Sequence, residues 1–205
     1  MPLTLLSQPG NIVLAALLTG IFKMPASTYG LIVALPFVFN FLQVLLTPLL
    51  AQKLDAQRLC VASGWLHVIG WIFLTAALPF IPAGDPVAAK WVFLVGFSII
   101  SLASSINGVA WNGWMQDVVP TRLRGSYFGK RNQLLYVSMI AFLLSVSGLL
   151  SFMKGSLIAY VILFGGAIVL RIFSVLWQQK MTTPYESQSC HRPTPLAGTG
   201  ATCPE

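Results

Sequence analysis

Six stretches of this chain are long enough and apolar enough to cross a lipid bilayer, and they decide most of what it can fold into. A crossing helix needs about 17–25 mostly apolar residues. The stretches run about from Leu3 to Phe22, Tyr29 to Ala51, Leu59 to Phe80, Trp91 to Met115, Leu134 to Met153 and Leu157 to Trp177. Gln8, Pro9, Gly10 and Asn11 interrupt the first. Backbone N–H and C=O groups find no water in hydrocarbon, so they must bond within their own segment, as a helix does. A β-barrel would need alternating polarity, and these runs do not alternate. Composition agrees, with 56% of residues apolar, 8% charged and a mean hydropathy of +0.79. The expected fold class is all-α, a polytopic membrane protein with a six-transmembrane-helix bundle over residues 1–180. Residues 181–205 turn polar and rich in proline, threonine and glycine, which predicts a disordered tail.

The opening "MPLTLLSQPGNIVLAALLTGIFK" has no basic leader and no small-residue cleavage site, so it reads as a first membrane helix. Basic residues then set an orientation. Lys53, Arg58, Arg122, Arg124, Lys130, Arg131 and Lys180 fall on one side of a six-span arrangement, and only Lys23, Lys90 and Lys154 on the other. Both termini are therefore expected in the cytoplasm, with the bundle in the cell membrane. The net charge of +7 raises nucleic acid as a partner. No RNA-binding signature accompanies it, and the charges sit between apolar runs, so nucleic acid is not expected. Cys60, Cys190 and Cys203 have neither metal-ligand spacing nor a disulfide framework. Neither a metal nor a cofactor is expected.

One segment breaks the apolar pattern: "WNGWMQDVVPTRLRGSYFGKRNQ", from Trp111 to Gln133. Pro120 restricts the residue before it and should end the fourth helix. Gly125 and Gly129 are four apart, so on a helix they share one bare face that another backbone can approach. Asp117 precedes Arg122 and Arg124 closely enough to pair across the turn. The segment reads as a shaped loop packed on helix ends.

Within it, "DVVPTRLRGSYFG" resembles the fourth-to-fifth loop of the major facilitator superfamily, carried here by Asp117, Pro120, Arg124, Gly125 and Gly129, with Arg131 in the same basic cluster. The second-to-third turn, "PLLAQKLDAQR", is similar to that family's G-x-L-A-D-R-x-G-R-R. Leu50, Ala51 and Lys53 fit, and Arg58 lies near the basic end. Pro48, Gln52 and Asp55 replace a glycine, an aspartate and a second glycine, so this copy of the motif is degenerate.

The resemblance implies the amino-terminal half of a two-bundle secondary transporter that moves a small solute by alternating access. Its partners would be the solute, membrane lipid, and a second six-helix bundle or a homodimer mate. A half alone is expected to lack independent transport. In that family the first, second, fourth and fifth helices line the cavity and the third is peripheral. Gln8, Asn11, Asn40, Gln43, Ser104, Asn107 and Trp111 become the cavity candidates, and their helical spacing agrees. Each also has the plainer reading of a bond between helices. Trp111 and Trp114 could equally be interface anchors. His67 reads as a neutral histidine bonded to a neighbouring helix, and Arg171 as a side chain snorkelling to the surface. Asp55, Asp85 and Asp117 all lie in turns, so no span supplies a carboxylate for proton coupling.

Two other readings stay open. "ASGWLH" places Ser63, Gly64 and His67 within reach of one another, as an intramembrane hydrolase would require. A non-catalytic membrane scaffold needs no site at all.

Overall fold

The computed structural model describes Leu6 and residues 11–51, 55–82, 86–154 and 156–181. Within these the chain is helical throughout, with no strand. Helix α1 (Ile12–Ala15) starts where the Asn11 carboxamide accepts from the Val13 N–H at 2.8 Å, meeting one of the donors a helix start leaves free. It continues as a π-helical stretch, Ala16–Ile21. The turn that follows is tight, with Lys23 in the left-handed region at φ 50 and the Met24 N–H bonded to the Leu18 carbonyl. The other helices are α2 (Ala26–Ala51), α3 (Ala56–Ala77), α4 (Pro86–Val118), α5 (Arg124–Phe152) and α6 (Leu157–Lys180).

Helices α2 to α6 are each long and apolar enough to cross a membrane. The ten residues Ile12–Ile21 are not. At about 1.5 Å per residue they cover only half of a hydrocarbon core of about 30 Å. The front of the expected first span, apart from Leu6, lies outside the described residues, as does the expected tail beyond Met181.

Two sequence boundaries move. The 33 residues of α4 reach Val118, and α5 begins at Arg124 rather than near Leu134. The basic segment is thus two helix ends joined by residues 119–123, which include one 3-10 turn (Thr121–Leu123), and not a long loop. Apolarity marks where lipid ends, but backbone hydrogen bonding carries a helix on into the headgroup region. Pro120 does stop α4, as expected.

Inside the bundle α3 and α4 make the most extensive contact; α2 packs on α4 and α6 on α3. The third helix is therefore central to this unit rather than peripheral. Glycine makes that approach possible. A Cβ on Gly70 would stand 2.9 Å from Ile100 Cγ1, and one on Gly64 would stand 3.1 Å from Val175 Cγ2. Trp71 and Phe164 fill the centre with their rings 5.1 Å apart, and Phe22 meets Phe93 edge-on.

Two helices stay largely outside this core. Val146 is the one buried residue of α5 among those described, and α2 is nearly as open. The outer surface is apolar: Phe41, Phe73, Leu144 and Phe173 all project outward. A patch of this size would drive association in water. In hydrocarbon it is solvated, and the chain is an integral membrane protein by this measure.

Candidate functional site

Three groups of polar side chains stand out among the described residues of this largely apolar bundle. The first is the joint between α4 and α5. Arg124 turns back on α4, donating from Nε to the Val119 carbonyl at 3.0 Å and from Nη2 to the Gln116 carbonyl at 2.5 Å. Those carbonyls are among the acceptors a helix end leaves without partners, and a cation there also suits the helix dipole. Two turns along α5, the Arg131 guanidinium lies 3.8 Å from the centre of the Trp111 ring. Phe128 packs edge-on to the same indole, Tyr127 packs on Phe128, and the Tyr127 hydroxyl meets Met115 Sδ at 3.6 Å. Arg131 Nε is buried with no hydrogen-bond partner, so the indole face is what receives this charge.

The second group lies between α2 and α4. Ser105 donates to the Asn40 carboxamide at 2.8 Å. One turn and two turns further along α2, Gln43 Oε1 and Thr47 Oγ1 are buried without hydrogen-bond partners. Ser104 is half-buried on α4, while Asn112 and Gly113 are exposed.

The third group ties α3, α4 and α6 together. Asn107 accepts from Arg171 Nη2 at 2.9 Å and donates to the Cys60 carbonyl at 2.7 Å and to Ser63 Oγ at 3.2 Å. Arg171 is only 4% exposed. It does not snorkel, because its side chain points into the bundle where Asn107 offers an oxygen. Among the described residues no carboxylate pairs with its charge. Ser63 turns its hydroxyl to the Leu59 carbonyl at 2.7 Å and is itself buried. His67 lies buried beside this group at 1% exposure.

No family model, curated protein or solved structure matches the chain. The site therefore rests on its own geometry.

That geometry sorts the expected residues. Asn40 and Gln43 fall on the α2–α4 seam, with Ser104 close by along α4. Asn107 does not face an open cavity: both ends of its amide are taken by protein groups. Asn11 caps a helix instead of projecting into a pathway. Trp111 serves the α4–α5 joint. Trp114 is buried with Leu59, Cys60 and Ile106, so it is a core residue and no interface anchor. Arg124 and Arg131 both act at the joint, though neither in a loop.

Pro120 lies exposed between α4 and α5, and Gly125 and Gly129 have open space where a Cβ would be. The close backbone approach expected at these glycines is thus not made inside this bundle. Arg58 pairs with Asp55 at 3.6 Å, both exposed. Gln8, Gln52, Lys53 and the Asp117 side chain lie outside the described residues.

Phe128, Tyr127 and Met115 were missed from sequence. The available signal was their spacing around Trp111 and Arg131 once the segment is taken as helix.

Proposed function

We propose that this chain is a six-helix bundle of a major-facilitator-type secondary transporter, working against a second bundle or a second copy to carry a small solute. The observation that carries the reading is the uneven packing. Helices α3, α4 and α6 pack together with α2 laid along α4, while α2 and α5 leave most of their surfaces uncovered and the first turns of α5 are fixed to α4 by a built joint. Rocking of one bundle against another needs helices of this kind, rigidly held at a gate and free along the face that meets the partner. The amides of Asn40 and Asn112 and the buried oxygens of Gln43 and Thr47 supply donors and acceptors along the α2 and α4 sides. The basic joint is assigned to the cytoplasm by the excess of arginine and lysine there.

The test exploits the open space at Gly125 and Gly129. Leucine at either position should leave the fold of this chain intact and its stability unchanged or slightly raised, since nothing lies within 4 Å of the added Cβ and leucine is the better helix former. In the assembled transporter the same change should abolish solute uptake by blocking the partner's approach. Uptake that survives both substitutions counts against the reading.

A further inference from the structure

A groove of about 380 Å³ opens between the first turns of α3 and the end of α6, lined by Gln57, Arg58, Val61, Ala62 and Gln179. Its walls are of two kinds. Val61 and Ala62 lie one turn deeper along α3 than Gln57 and Arg58, so the inner wall is apolar and the rim polar. The two helix ends are fixed to one another, because Gln57 Nε2 donates to the Met181 carbonyl at 2.7 Å. That bond uses Gln57 and leaves Arg58 and Gln179 at the mouth. The Arg58 side chain is 78% exposed, and its partner Asp55, 80% exposed, stands 3.6 Å away. A pair so long and so wet holds its arginine weakly.

The groove also lies at the more basic end of the bundle. Since successive helices alternate direction, the start of α3 and the end of α6 share a side with the α4–α5 joint. Among the described residues six lysines and arginines lie on that side, Arg58, Arg122, Arg124, Lys130, Arg131 and Lys180, with Asp55 and Asp117. Apolar walls below a cationic rim, at the depth where hydrocarbon meets headgroups, fit an amphiphile with an anionic head. A soluble phosphate compound would leave Val61 and Ala62 unused. Basic pockets between membrane helices recognise anionic lipid headgroups by this combination.

We infer that this groove seats one anionic phospholipid, its phosphate at Arg58 and Gln179 and the start of an acyl chain along Val61 and Ala62. The site is independent of the transport reading and stands or falls separately. It is tested with the full chain in nanodiscs of phosphatidylcholine containing a minor share of phosphatidylglycerol, read by native mass spectrometry. One phosphatidylglycerol should be retained in preference to phosphatidylcholine. Arg58→Gln should lower the retained ratio about fivefold, the loss of one cation's attraction at a membrane surface. Ala62→Trp, which fills the groove, should remove the retained lipid, with helicity by circular dichroism unchanged. Arg122→Gln, exposed at the same end, should leave the ratio as it was. An equal drop with Arg122→Gln overturns the site in favour of diffuse surface attraction. Displacement by inorganic phosphate alone, or no preference between the lipids, overturns it too.

Discussion

At the residue scale, the group with the most at stake is Arg171 with Asn107. A guanidinium removed from water keeps its charge, and here one neutral oxygen at 2.9 Å is its hydrogen-bonded acceptor. Asn107→Ala should cost about 1.5–3 kcal/mol, the range for a hydrogen bond to a charged group, by reversible unfolding in mixed micelles. Replacing both, Asn107→Leu with Arg171→Met, should cost less than the single change, because no buried charge is then stranded. A double variant weaker than Asn107→Ala would show that the pair holds the helices together by more than mutual satisfaction. The two residues were legible in the sequence only as polar positions in spans. Their meeting was not, since they lie 64 positions apart and depend on how α6 packs on α3 and α4. Arg171 also sits near enough to a helix end for snorkelling to look reasonable. Gly64, which lets α6 approach α3, was the unread clue.

At the scale of elements, α5 poses the question, because 29 residues of helix meet the core through Phe142, Val146, Leu149 and Leu150 and meet α4 again at the joint. The cation–π contact of Arg131 with Trp111 is the natural hold. A double-mutant cycle with Trp111→Ala and Arg131→Gln should give a coupling of about 0.5–2 kcal/mol, the upper figure applying where water is excluded. Additive effects would mean that the indole and the guanidinium act apart. Span positions were readable because long apolar runs admit only helix in lipid. The ends were not, because residues such as Arg124 and Lys130 end the apolar pattern without ending backbone hydrogen bonding. The acid, proline and arginine of the fourth-to-fifth segment were noticed for the right reason, as parts of a shaped turn. Arg124 then proved to cap α4 through its carbonyls.

At the scale of the whole molecule, the charge asymmetry of the sequence predicts one orientation of the bundle in the membrane. A fluorescent protein fused after Lys180 should fluoresce, and an alkaline phosphatase at the same place should be inactive, if both termini are cytoplasmic. Active phosphatase there would invert the topology. Transport as proposed requires that the polar positions of α2 and α4 meet water within the membrane while the neighbouring faces meet lipid. The direct measurement is labelling by a membrane-impermeant maleimide in a background with Cys60, Cys190 and Cys203 removed. Asn40→Cys and Asn112→Cys should react, and Phe41→Cys and Phe173→Cys, which project from the apolar surface, should not. Silence at both asparagine positions, or equal reaction at all four, would contradict a water-lined carrier.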